Sequence, residues 1–301
     1  MNNSRNEKNQ QGFLSRLIGE PTPEKNAGLT YSVAAIVILF LSLVYGCIPK
    51  SADTVRAYLS FMVAPIAFLF IGVWYFCYTK TSFKTFVKAQ NCPPKYYLIA
   101  VLLQIGLLSL GEVNTLFLEF LEKFGYEYVE PVLPSMNGVG FIGVLFVIAV
   151  LPAIMEDFFF RGIQLEGIKT FGTVSGAILS GALFALFHQN PAQTVYQFIC
   201  GAAFALVAIK AGSFLPTALA HFINNAYILV LHKYQITSFS APVYAIILVT
   251  SAICLIVSLG YLLFIDRQKT EKKKGKYGGF FLCASVGIAV FALSWVSALL
   301  A

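Results

Sequence analysis

Apolar runs of about 20 residues recur along nearly the whole chain, the length a helix needs to cross a bilayer core. Nine such spans are predicted, at roughly 28–48, 56–78, 96–121, 137–160, 173–189, 194–210, 214–233, 242–265 and 277–300. The runs are continuous rather than alternating, which argues against a membrane β-barrel. The expected fold class is therefore all-α, a polytopic transmembrane helical bundle of about nine spans. Composition points the same way, since only 12% of the 301 residues are charged, against about 25% in soluble domains. A polar N-terminal segment over 1–27 should precede a single membrane domain over 28–301. That segment lacks an early apolar stretch with a small-residue cleavage site, so the first span is expected to be retained.

The net charge of +7 does not imply a nucleic-acid partner, because Lys and Arg fall in short loops between apolar runs. The loop after the second span carries Lys80, Lys84, Lys88 and Lys95. The loop before the last span carries Arg267, Lys269, Lys272, Lys273, Lys274 and Lys276. Between the third and fourth spans the loop is acidic, with Glu122, Glu127 and Glu130. The bias of basic residues to the cytoplasmic side then puts the N-terminus inside and Ala301 outside, with Lys50 and Arg56 running against the trend. The six cysteines are scattered without a CxxC pair, and most, within or at the ends of apolar runs, read as small buried hydrophobes.

Against this background three segments stand out: PAIMEDFFFRG (Pro152 to Gly162), FALFHQN (Phe184 to Asn190) and ALAHFINNA (Ala218 to Ala226). Ionisable groups at membrane depth are costly and mark a functional site or a paired internal contact. Asp157 and Arg161 are four apart and share a helix face, so they should form an intrahelical ion pair. Glu156 lies about 100° around the helix and has no evident local partner. Phe184 is one turn from His188, and His221 is one turn from Asn225. Any one of these residues alone reads as polar glue between helices. Four of them in three neighbouring segments favour a site.

The turn near Phe171 supports convergence. Glu156 is 15 residues before it and His188 is 17 after it. In an antiparallel pair their heights then differ by only about 3 Å. His221 and Asn225, after the turn at Gly212, fall within roughly two helical turns of that level. An unpaired Glu beside a His suits activation of a water, so His188 is assigned to that step. His221 and Asn225 are assigned to a developing oxyanion. Alternatively, Glu156, His188 and His221 could hold a metal ion, zinc being the candidate cofactor. No HExxH or GxSxG motif occurs. Both routes lead to hydrolysis.

At these residues the chain resembles the CAAX protease and bacteriocin-processing family (CPBP or Abi, type II CAAX prenyl endopeptidase-like). The family pattern of EExxxR, FxxxH and HxxxN corresponds to Glu156-Asp157 with Arg161, Phe184 with His188, and His221 with Asn225. Order and spacing match over about residues 140–230; Asp157 stands where the family has a second Glu. The resemblance implies an intramembrane endopeptidase acting on a peptide or protein substrate within or at the bilayer, prenylated peptides or leader peptides among them. Glu156, His188, His221 and Asn225 would be catalytic, with Asp157, Arg161 and Phe184 orienting. It implies either a glutamate-type or a metal-dependent enzyme, in a bacterial plasma membrane. The rival reading is a non-catalytic immunity or scaffold protein that binds a peptide or membrane partner. A small transporter with a proton relay is a third, disfavoured by the apparent lack of inverted repeats and broken helices.

Overall fold

Ten helices and no strand make up the described residues. The structure is a computed structural model that describes residues 20–49, 51, 53–267 and 275–300, without the side chain of Lys88. Most of the polar N-terminal segment, Lys50, Lys269, Lys272 to Lys274 and Ala301 lie outside the described residues.

The helices are α1 (Pro23–Gly46), α2 (Asp53–Thr79), the short α3 (Phe83–Ala89), α4 (Lys95–Glu122), α5 (Gly140–Phe171), α6 (Thr173–Phe187), α7 (Pro191–Ala211), α8 (Leu215–Lys233), α9 (Ala241–Ile265) and α10 (Tyr277–Leu299). All but α3 correspond to the nine predicted spans. Seven of them are long and apolar enough to cross a membrane. The two that fall short are α6 and α8, and each fails for a physical reason. With 15 residues, α6 extends about 22 Å, less than a hydrocarbon core of roughly 30 Å. The 19 residues of α8 suffice in length, but His221, Asn224, Asn225 and His232 make it too polar. These are the helices that carry the candidate histidines.

Local sequence sets the boundaries. Thr22 caps α1 by accepting from the Lys25 N–H, with Pro23 at the first helical position. Asn190 does the same for α7, its Oδ1 accepting from the Ala192 N–H at 3.0 Å ahead of Pro191. Faces that touch no other helix are apolar. Ile36, Phe40 and Leu43 on α1 and Ile246, Ile253 and Ile256 on α9 are exposed. So broad an apolar surface needs a lipid surround. The protein is an integral membrane protein.

In the interior, α1 lies along α10, α6 forms a hairpin with α7, and α4 lies against both α8 and α9. Between α2 and α8 runs α5. The α6–α7 crossing depends on glycine, since a Cβ on Gly181 would sit 2.5 Å from the Phe198 carbonyl oxygen and 2.7 Å from the Ala202 nitrogen. Small residues permit such backbone approach in membranes. Aromatic rings fill the centre. Phe68 of α2 stacks on Phe159 at 4.4 Å, and Phe160 meets Phe184 edge-on at 5.0 Å.

Irregular turns interrupt the helices that surround the site, contrary to the expectation of unbroken spans. Leu108–Leu110 in α4 form a 3₁₀ turn, and Leu145–Val150 and Phe158–Gln164 in α5 are π-helical. The seven residues between the two π segments, Leu151–Asp157, include Pro152, Glu156 and Asp157. Wide turns of this kind recur at functional sites.

Candidate active site

Pro152 has no N–H, so the Ile148 carbonyl, four residues earlier, loses its α-helical donor. The Asn225 side chain of α8 fills that role, Nδ2 donating to Ile148 O at 3.2 Å. One proline thus ties α5 to α8 at the level where the acidic pair begins. Asn225 Oδ1 accepts from Asn224 Nδ2 at 3.2 Å, and Asn224 Oδ1 accepts from Gln104 Nε2 at 2.8 Å and from the Tyr196 hydroxyl at 3.0 Å. This chain of carboxamides holds α8 against α4 and α7.

The two acids have different surroundings. Asp157 is fully buried and 3.6 Å from the Arg161 Nε, one turn along the same helix. Its other oxygen, Oδ2, is 2.9 Å from His221 Nδ1. An ionised carboxylate only accepts, so Nδ1 carries the proton and Nε2 presents its lone pair. That Nε2 is 4.0 Å from Glu156 Oε2, an oxygen shielded from solvent and without a hydrogen-bond partner. The gap exceeds a direct hydrogen bond and suits a bridging water. Arg161 points its guanidinium over the Phe184 ring, 4.1 Å from the centroid, and none of its three nitrogens makes a hydrogen bond. Charge pairing and a cation–π contact together hold it.

His188 is the residue that follows α6, not a mid-helix residue. Its Nδ1 is 2.7 Å from the Phe184 carbonyl, which can only accept, so this imidazole too presents Nε2 outward. The Phe184 ring lies 4.6 Å from it, edge to face. Gln189, next along, adopts φ +52°, a left-handed conformation uncommon outside glycine and asparagine. A broken backbone at membrane depth is tolerated where it lines a cavity, and His188 and Gln189 do line one.

That cavity has a volume of about 970 Å³. Glu156, His188, His221 and Asn225 all line it. The four candidate residues therefore share one space, while Asp157, Arg161 and Phe184 stand behind its wall. His221, from α8, sits beside Glu156 and is fixed by a second acid.

Asn114 of α4 also lines the cavity, and its Oδ1 is buried without a partner. From sequence it could line a cavity or sit near the outer end of its span, the second being favoured; the structure puts it in the cavity lining. Asn224, Gln193 and Gln197 line the same space and had no sequence signal beyond being polar in apolar helices. Among the described residues, no group of three His, Cys, Asp or Glu comes together as a metal site.

Residues 138–227 match the family described as type II CAAX prenyl endopeptidase Rce1-like. Over this stretch the chain is similar to CAAX proteases. The match begins and ends within a few residues of the resemblance read from the motifs, and it covers the stretch that carries Glu156, His188, His221 and Asn225. Comparisons with curated proteins and with solved structures return no match.

Proposed function

We propose that this chain is a CAAX-type intramembrane endopeptidase that uses a glutamate to activate water. One observation carries the reading: the unpaired Glu156 Oε2 lies 4.0 Å from the oriented Nε2 of His221 at the wall of a cavity large enough for a peptide. A water between them donates one hydrogen to each acceptor. Its lone pairs are then free to face a substrate carbonyl.

Water oxygen attacks the peptide carbonyl carbon while Glu156 takes a proton. The oxyanion receives the second N–H of Asn225 Nδ2, the first being spent on Ile148 O. On collapse the C–N bond breaks and Glu156 returns the proton to the leaving nitrogen, so the products are a carboxylic acid and an amine. Asp157, neutralised by Arg161, fixes the His221 tautomer and plays no part in proton transfer. His188 presents a second acceptor, which suits a substrate backbone N–H beside the scissile bond. No step requires a metal.

The test is proteolysis of a peptide library by purified protein, read by mass spectrometry. The expected result is new internal termini with wild-type protein and none with Glu156→Gln. Peptide binding without cleavage by wild-type protein would favour the scaffold reading instead.

A further inference from the structure

Between α4 and α5, residues Tyr126 to Met136 form neither helix nor turn. Tyr128, Val129 and Val132 are residue types that favour extended backbone, and Pro131 and Pro134 keep helix out. The strap they form is fastened at both ends. Tyr126 is buried with Leu121 and Ala192, and its hydroxyl donates to Asn190 Oδ1 at 3.4 Å. Pro134 is buried as well.

Between these anchors the side chains divide. Tyr128, Glu130, Pro131 and Leu133 line the cavity that holds Glu156 and His221. Val129 and Val132 are no part of its wall and are 82% and 78% exposed. This is the alternation of a β-strand, with one shift of phase at Pro131. Among the described residues, no backbone N–H or C=O of Glu127 to Leu133 has a partner in the protein. Water satisfies such groups at a surface, but an extended edge with free N–H and C=O groups is also a template for a second strand. Pro131, which has no N–H to give, is tolerated in strands at such an edge.

Resting on the endopeptidase reading, we propose that the strap receives the substrate by strand addition. The peptide lies beside Tyr128 to Leu133 in extended form and exchanges backbone N–H···O=C bonds with it. Every second substrate side chain then enters the cavity. Main-chain pairing supplies affinity whatever the substrate's side chains, and it holds the peptide's carbonyls in one extended geometry within the space that Glu156 lines. The substrate class follows: an extended polypeptide segment. An intact helix already spends its N–H and C=O groups on itself and has none for the strap.

The test uses one cleaved peptide and a set of analogues, each with a single backbone N-methyl group on one side or the other of the scissile amide, which is itself left unmodified. N-methylation deletes one N–H and keeps every side chain. Adjacent residues of a strand turn their N–H groups to opposite edges, so the expected profile of kcat/KM alternates. Every second residue should show a loss on the order of fivefold, the worth of one net hydrogen bond, and the residues between should show little. On the protein, Val129→Pro and Glu130→Pro are each compared with the Ala variant of the same position, which keeps the N–H. One Pro variant, not both, should fall on the order of fivefold below its Ala counterpart, with the unfolding midpoint unchanged. The analogue profile is read on wild-type protein, so it decides even where a Pro variant is destabilised. A flat profile, or stable Pro variants that behave alike, would overturn strand addition and leave the endopeptidase reading standing, because the parent peptide is still cut. A parent peptide left uncut would remove both.

Discussion

Asp157 and Glu156 are adjacent in sequence and opposite in circumstance. Asp157 is satisfied from both sides, by Arg161 and by His221, whereas Glu156 Oε2 has no partner. Removing one member of a buried charged pair typically costs about 3–5 kcal/mol, because the other is left uncompensated. Asp157→Asn should therefore lower the thermal unfolding midpoint in detergent and reduce turnover. Glu156→Gln should leave the midpoint near that of wild-type protein. Asn225→Ala removes the proposed oxyanion donor, and losing such a donor typically costs roughly 2.7–4 kcal/mol or about 10²–10³ in rate. It should show as a fall in kcat with KM little changed. The Asp157–Arg161 pair was legible from i,i+4 spacing alone, because both partners lie on one helix. The Asp157–His221 contact was not, because the two residues are 64 positions apart and only the crossing of α5 and α8 joins them.

Elements show how the sites for these side chains arise. Pro152 deprives Ile148 O of a donor, and Asn225 supplies one. Pro152→Ala restores the N–H and sets it in competition with Asn225. A helix-interior Ala is favoured over Pro by about 3 kcal/mol, so the variant should be at least as thermally stable as wild-type protein yet slower in turnover. A variant both stable and fully active would show that the proline link is unnecessary. Gly181 serves a different end. Its neighbours across the α6–α7 crossing are backbone atoms that cannot swing aside, so Gly181→Leu should separate the hairpin and lower the unfolding midpoint, with overpacking costing about 1–3 kcal/mol or more. Hydropathy located the nine helices other than α3, seven of which are long and apolar enough to cross a membrane. It could not foresee that α6 stops at Phe187, since the break at His188–Asn190 is stabilised by the cavity and by the Asn190 cap rather than by any Gly or Pro ahead of it.

Seen whole, the molecule has a carboxamide-rich cavity and a Lys–Asp–Tyr knot that joins the start of α4 to the residue after α9. The lysines between α2 and α4 belong to the end of the bundle that carries this knot, so the bias of basic loops predicts that this end is cytoplasmic. With native cysteines replaced, Ser82→Cys should label only from the cytoplasmic side and Ser238→Cys only from the outside. The reverse pattern would invert the orientation. Fold class and the resemblance over residues 138–227 were legible in the chain because burying Glu, Asp, Arg and His in lipid is rare enough for their order and spacing to be informative. The shape of the cavity was not, since it is made of polar uncharged residues on α4, α7 and α8 that sequence spacing does not connect. The central claim is that the Glu156 carboxylate activates water without a metal. Its most direct test is turnover of one cleaved peptide by wild-type and folded Glu156→Gln protein, each before and after treatment with a chelator. The account predicts that wild-type activity survives chelation and that Glu156→Gln shows none in either state. Wild-type activity lost to the chelator and restored by zinc, or turnover by Glu156→Gln near the wild-type rate, would contradict it.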